Sequence, residues 1–339
     1  MSEQRNSPRT RWCVGLVTLV ALVVACGSSD VDDAASATSS TTVAPPDTPV
    51  EEVPATTSPA ADYPRIVEHA LGVTTIDERP ERIVAVAGVA EFDALLSLGV
   101  EPVAVATRYP VNEAGDWGFA PWNAALLDEY ETFENFPLLD PEDVAAFGPD
   151  IIVGQGPSLE QQYDVFSELA PTIAHADPAD WRDVVRLFAV TFAVEARGEE
   201  VIAEIEAGLA EQARRIADDP PTVAFVSPFG GELIVYDADA GPGPARVMAD
   251  VGLDVIGVPG GSISYEQMDL LADADWILVF DFTLGPVDEL FDDPLFGRLP
   301  AVEAGRAVRL DPRSSFSWIY ETTRSLPEIV DGVLTTIER

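Results

Sequence analysis

The chain contains no lysine. All 19 of its basic residues are arginine, set against 59 acidic ones, for a net charge of −40. Nucleic acid is strongly disfavoured as a partner, because binding it requires a basic footprint. A lysine-free, acidic chain fits GC-rich codon bias or adaptation to salt, and composition does not separate the two. Histidine is almost as scarce, with only His69 and His175. Two imidazoles are thin for a dedicated transition-metal site, so neither a metal centre nor a resident cofactor is expected. The two cysteines, Cys13 and Cys26, both lie near the amino end. The folded part then has no thiol, which excludes disulfides and cysteine-based zinc or redox chemistry. No Gly-x-Ser-x-Gly elbow, P-loop or zinc-protease motif is present, so the chain is not read as an enzyme. No apolar run is long enough to remain in a bilayer.

The amino end carries a targeting pattern. Arg5, Arg9 and Arg11 precede the uncharged run Leu16 to Ala25, and Cys26 follows directly. A basic region, a short apolar region and a small residue before a cut describe a secretory signal over residues 1–25. Val23-Val24-Ala25-Cys26 resembles a bacterial lipobox, in which the cysteine thiol takes a diacylglyceryl group. An ordinary signal peptide with an incidental cysteine is the alternative. Lipidation at Cys26 implies a protein held on the extracytoplasmic face of the cell membrane. Residues 26–62 are Ser, Thr, Ala, Pro and acid with nothing to bury, which reads as a disordered tether. Such a tether has a root-mean-square span of roughly 35 Å.

Beyond the tether, strands and helices alternate. Arg82 to Val86, Pro102 to Ala106, Asp150 to Val153 and Thr172 to Ala174 read as strands, with helices between them. Trp181 to Phe192 and Glu195 to Asp218 then read as nearly continuous helix. Val201, Ile205, Leu209, Ala213 and Ile216 form one apolar stripe along the second. Strand–helix alternation resumes after Pro220-Pro221. The expected fold is α/β: two lobes with mostly parallel central sheets, joined by one long inter-lobe helix. The expected boundaries are residues 63–194, 195–219 and 220–339.

One element occurs twice. Asp140-Pro141-Glu142 leads to Pro149-Asp150-Ile151-Ile152, and Ser264-Tyr265-Glu266-Gln267 leads to Ala274-Asp275-Trp276-Ile277. Asp140 can cap the first helix, with Pro141 at its first position. Ser264 can cap the second, with Gln267 completing a capping box. Glu142 and Glu266 then sit two residues past equivalent caps. A carboxylate there is favourable against the helix dipole whatever its function. The pairing across two lobes suits a partner that is itself two-fold, such as a dimeric membrane protein.

These segments, taken with His69-Ala70-Leu71-Gly72, Pro80-Glu81-Arg82-Ile83-Val84, Ala94 to Val103, Leu169-Ala170-Pro171-Thr172 and Leu299-Pro300-Ala301-Val302, resemble the iron–siderophore substrate-binding proteins of ABC importers. The resemblance runs from about Ile66 to Ile337. It implies capture of a ferric siderophore and delivery to a permease dimer, whose arginines would meet Glu142 and Glu266. The ligand cleft would lie at strand carboxyl ends between the lobes. Candidate lining residues are Arg108, Tyr109, Gln155, Phe229, Tyr236, Arg246, Arg313, Trp318 and Tyr320. Arg108 matches the place where hydroxamate-siderophore binders hold an arginine, and it could donate to metal-bound oxygens. Trp318 and Tyr320 would be rigid walls, with core packing as the alternative for either. So acidic a chain favours a hydroxamate, mixed or citrate-type chelate over a tris-catecholate.

Other readings remain at this point. A cobalamin or haem binder of the same importer type is one, with His175 as a possible axial ligand. A lipoprotein that senses or binds a partner without transport is another.

Overall fold

The computed structural model describes residues 62–107, 122–123, 126, 129–134, 138–216, 220–281, 287–310, 315, 318 and 321–338. Strands β1 (Arg65–His69) and β2 (Gly72–Ile76) form an antiparallel hairpin. Next come β3 (Ile83–Ala85), α1 (Val89–Leu98), β4 (Ala104–Thr107) and β5 (Glu131–Glu134). They are followed by α2 (Pro141–Ala146), β6 (Ile151–Gln155), α3 (Tyr163–Leu169) and β7 (Thr172–His175). The five strands form one wholly parallel sheet in the order β5-β4-β3-β6-β7.

Helices α4 (Trp181–Thr191) and α5 (Glu195–Ala213) follow. The second sheet is built from β8 (Thr222–Phe229), β9 (Glu232–Tyr236), β10 (Asp254–Val255), β11 (Ser262–Ser264), β12 (Trp276–Val279) and β13 (Ala307–Arg309). Its order is β11-β9-β8-β12-β13, with β10 beside the start of β8. Helix α6 (Pro244–Asp250), a 3-10 helix (Tyr265–Leu271), α7 (Val287–Asp292) and the closing α8 (Leu326–Ile337) complete the described elements. The mixed α/β reading holds, but the second sheet is parallel only in part. Its β8-β9-β11 side is antiparallel.

The central strands β3, β4, β6, β8 and β12 are buried on both faces, so they are mostly apolar rather than alternating. Alternate residues divide between two cores. In β3, Ile83 and Ala85 face one core while Val84 faces the other. In β8, Val223 and Phe225 face the same core as Ile83, while Ala224 and Val226 face a third. One apolar core therefore runs from the inner face of the first sheet, through the helices, to the inner face of the second.

Helix α5 packs on α4, α1 and α8. Its stripe buries Val201 and Leu209, with Ile205, Ala213 and Ile216 partly covered. Gly198 lets it approach α4 closely, since a Cβ there would fall 2.6 Å from Ala189 Cβ. A polar fastening reinforces this region. The fully buried Asp93 carboxylate of α1 accepts from Trp122 Nε1 at 2.8 Å and from Asn123 and Thr322. Thr323 Oγ1 donates to the Asp93 carbonyl at 3.1 Å and lies 2.8 Å from Ser97 Oγ. Helix α1 is thus tied to the turn that leads into α8. Burial pushes the Asp93 carboxyl up to about 6, against the pull of those donors.

Candidate functional site

Parallel strands in one sheet share a carboxyl edge, and ligands of α/β folds gather there. In the first sheet that edge is formed by Thr107, Gln155 and His175. In the second it is formed by Phe229, Asp281 and Arg309. Five of the expected residues, Arg108, Tyr109, Arg313, Tyr320 and the lipidation candidate Cys26, lie outside the described residues.

Of the others, Gln155 is half-buried at the head of the short helix Gly156–Leu159, and Ser158 Oγ donates to its Oε1 at 3.3 Å. Phe229 does not follow the strand as a loop residue. Strand β8 instead continues through Pro228 into a two-residue turn, Gly230-Gly231, both at positive φ. Glycine suits that turn because both central residues need left-handed backbone. Phe229 therefore stands at the tip of a hairpin, 59 % exposed. Its β8 neighbours on the same face run Val223, Phe225, Ser227, from core toward solvent. Tyr236 lies beside them. Its ring meets Phe280 edge-on at 5.3 Å, and its hydroxyl lies 3.2 Å from Ser227 Oγ. Burial raises the Tyr236 phenol above its ordinary value. Ser227, Phe229 and Tyr236 thus form one aromatic, hydroxyl-tipped strip on the inner face of the second sheet.

One expectation is corrected. Trp318 is not a cleft wall: it is 2 % exposed, with its ring 4.6 Å from both Phe225 and Phe280. Three large rings stacked there bury more apolar surface than an open wall would, and the core reading prevails. Arg246 is turned along its own helix, with Nε 2.9 Å from Asp250 Oδ1.

His175 does not offer a ligand position either. It is buried, with Nδ1 2.6 Å from the Ala176 carbonyl and Nε2 3.1 Å from Glu91 Oε1. Both nitrogens lie beside oxygens that can accept, an arrangement that suits the imidazolium. Burial opposes that charge, but the hydrogen bond and charge of Glu91 outweigh it and raise the pKa of His175. His69 is the reverse case. Its Nδ1 accepts from Leu71 N–H at 3.3 Å, its Nε2 lies 2.9 Å from Thr74 Oγ1, and burial lowers its pKa. Among the described residues no group of three or more His, Cys, Asp or Glu could hold a metal ion.

Sequence reasoning missed Arg309. It ends β13 and is held by Asp281 through Nε, at 2.9 Å, and by Asp288 through Nη1. A basic residue closing a late strand was the only signal available for it. A hollow of about 800 Å³ lies at the opposite, amino edge of the second sheet, around Thr222, Asp275 and Arg306. It contains none of the expected residues.

Both acidic helix starts form as expected. The Asp140 carboxylate accepts from the Glu142 N–H at 2.9 Å, with Pro141 at the first helical position. Ser264 and Gln267 make the reciprocal box, with Ser264 N–H donating to Gln267 Oε1 at 3.1 Å. Glu142 and Glu266 are exposed. The Glu266 carboxyl is held below the usual range by its own backbone N–H and by Ser264. Each short helix packs on the outer face of its sheet, through Val144 in one case and Met268 and Leu271 in the other. Each leads into an equivalent strand: β6 pairs with β3 and β7, and β12 with β8 and β13. A helix that leads into a strand of such a sheet runs antiparallel to it, so both helix starts lie at the carboxyl edge.

A family described as periplasmic binding protein matches residues 84–314. The probable siderophore-binding lipoprotein YfiY of Bacillus subtilis is 31 % identical over 185 residues, covering 53 % of this chain and 54 % of that protein. The match thus spans about half the length of that relative. The putative ABC transporter substrate-binding lipoprotein YhfQ of Bacillus subtilis is 25 % identical over 270 residues, covering 72 % of this chain and 80 % of that one. Among solved structures, Staphylococcus aureus SirA complexed with staphyloferrin B superposes with a TM-score of 0.67 at 20 % identity. That superposition covers 81 % of this chain and 98 % of that one. At that identity it shows the two-lobed fold.

Proposed function

The chain belongs to the periplasmic binding protein family, and from that membership we propose that it captures a ferric siderophore outside the cytoplasm and delivers it to an ABC importer permease. One observation carries the reading: two exposed carboxylates, Glu142 and Glu266, occupy equivalent capped positions at the carboxyl edges of two equivalent sheets. That is the end at which Phe229 emerges. A receptor that docks on a two-fold permease needs matching charges flanking its cargo. The relatives are named as siderophore-binding and ABC-transporter lipoproteins, which supports the cargo, the partner and a role in binding rather than catalysis.

Residues 63–194 and 220–339 serve as the lobes, and residues 195–219, whose helix α5 ends at Ala213, as the segment between them. The signal over residues 1–25, the lipid on Cys26 and the tether over residues 26–62 would hold the lobes at the outer face of the membrane. Arg108, Tyr109, Gln155, Phe229, Tyr236, Arg313 and Tyr320 are the proposed cleft residues, with Arg108 donating to the oxygens that iron gathers. Arg246 and Arg309 are already held by Asp250 and by Asp281 and Asp288. That pairing supports a chelate of low negative charge, hydroxamate, mixed or citrate-type, over a tris-catecholate.

The test is titration of the purified protein with ferric hydroxamate, citrate and catecholate complexes, followed by native mass spectrometry. Saturable one-to-one binding of a ferric complex, tighter than that of its iron-free chelator, is expected. Saturable binding of haem or cobalamin with none of the ferric complexes would overturn the cargo.

A further inference from the structure

Two buried polar atoms lack partners beside one void. Glu321 Oε2 and Trp181 Nε1 have no hydrogen-bond partner among the described residues. Their residues line a gap of about 10 Å³, together with Ala90 and Ala94 of α1, Thr322 and Thr323. Such a gap is about the size of one water. It lies where first-lobe helices meet the second lobe, because Glu321 also accepts from the Gly243 N–H at the head of α6. An acceptor and a donor-only indole N–H therefore border a gap of about one water's size.

We propose that Glu321 is a proton-operated fastener between the lobes: protonated, it packs as a neutral group in a nearly dry junction, and ionised, it draws water in and loosens the junction. A lone carboxylate needs several hydrogen bonds to replace its hydration. Gly243 supplies one, and the void admits one water. The charged groups around it do not compensate. Asp180 at the head of α4 repels the ionised form, and Arg182, which attracts it, is shared with Asp180 and with Glu206 of α5. Asp250 on α6 repels it and is paired with Arg246. On α1, Glu91 is engaged with His175, and Asp93 with Trp122, Asn123 and Thr322. Arg324, on the same turn as Glu321, is directed to Asn123. Burial first, then Asp180, pushes the Glu321 carboxyl from 4.5 up to about 7.

The sign follows from linkage. A carboxyl whose value is raised in the packed state favours that state most at low pH. The advantage is lost as pH rises from the ordinary value toward the raised one. Opening of the junction should therefore increase by up to about tenfold per pH unit between about pH 5 and 7, then level off. The proposal does not depend on which ligand the cleft takes.

The test is hydrogen exchange of the ligand-free full chain from pH 5 to 8, corrected for intrinsic rates, over Trp181–Thr191 and Gly243–Asp250. The wild type should lose protection as pH rises to 7. Glu321→Gln should lose most of that response between about pH 5 and 7, keeping only the weaker slopes that Asp93 and His175 contribute, and Asp93→Asn should keep the Glu321-dependent part. Parallel profiles for wild type and Glu321→Gln would overturn the proposal. A carbon-13 carboxyl titration of Glu321 in the unmutated protein gives an independent check, and a midpoint near the ordinary carboxylate value would also overturn it.

Discussion

The last parallel strand of each sheet ends in a basic residue paired with a buried acid, and the two lobes treat that pair differently. In the first lobe His175 and Glu91 are enclosed, their side chains 6 % and 1 % exposed. In the second, Arg309 reaches Asp281 from a side chain 44 % exposed and also grips Asp288 at the surface. The carboxyl edge of the first lobe is thus closed at β7 by its own ion pair, and in the proposed cleft that lobe would offer its contacts from other loops. The second lobe leaves its edge open and offers the inner-face strip of Ser227, Phe229 and Tyr236. The capped carboxylates proposed for docking, Glu142 and Glu266, are matched between the lobes, while the proposed cleft walls are not.

Breaking the two pairs should show the largest difference. His175→Ala leaves the Glu91 charge buried without its partner and should cost about 3–5 kcal/mol of stability. Arg309→Gln should lower the melting temperature much less, because water reaches its site. The His175 effect should also depend on pH. Its raised pKa means that the pair's contribution is complete below the unfolded value of about 6.5 and fades as pH rises through the folded one. Thermal melts of both variants from pH 5 to 9 check this. Equal losses in the two variants would erase the distinction.

The docking charges should behave alike. Glu142→Arg and Glu266→Arg replace attraction with repulsion at one permease subunit each, and each should reduce uptake roughly 10- to 100-fold. Ligand affinity should stay unchanged in both. Transport assays in reconstituted vesicles, run beside binding titrations, make the comparison. A large loss of affinity in either variant would move that residue into the cleft.

The repeated Asp sharpens the comparison on a smaller scale. Asp150 accepts from two N–H groups at the head of β3, those of Glu81 and Arg82, both at 2.8 Å. Asp275 accepts from one at the head of β8, that of Thr222, at 3.0 Å. In the first lobe Arg82 adds bonds to the Phe147 and Gly148 carbonyls that end α2. Asp150→Ala should cost about 2 kcal/mol and Asp275→Ala about half as much, on the scale of hydrogen bonds to a charged group. Denaturant unfolding of the two variants measures the ratio, and equal costs would mean that the bond count does not set it.

Sequence patterning made the parallel strands and the long helix legible, because both depend on local apolar periodicity. The two capped acidic starts were legible for the same reason, since caps are set by neighbours within three residues. The hairpin β1–β2 was not, because Ile66 and Val73 are exposed and blur its alternation. Strand β5, with the sequence ETFE, is an edge strand with little burial to mark it. Pro228 reads as a breaker, yet it is tolerated in β8 because among the described residues β12 pairs with the strand only as far as Val226. The site was less legible than the fold. Trp318 meets Phe225 and Phe280, and Glu91 meets His175, across separations that no local window spans.

The smallest effect bears on the inner-face strip. Tyr236→Phe removes one hydroxyl and leaves the ring against Phe280. The Ser227 hydroxyl then loses its partner at 3.2 Å, which should cost about 0.5–1.5 kcal/mol of stability if the pair serves only the fold. In a cleft wall the same hydroxyls would turn to the oxygens of a bound chelate, and the loss would fall on affinity. The outcomes separate because Ser227 is buried while Phe229, two residues further along β8, is exposed. A ligand resting on Phe229 should reach the Tyr236 tip before it reaches the core. We expect Tyr236→Phe to weaken ferric-chelate binding about 2- to 10-fold, with a melting temperature lowered by only a few degrees. Phe229→Ala should weaken binding with no loss of stability. If Tyr236→Phe lowers the melting temperature and leaves affinity intact, Tyr236 belongs with Trp318 in the core, and the open wall of the second lobe begins at Phe229.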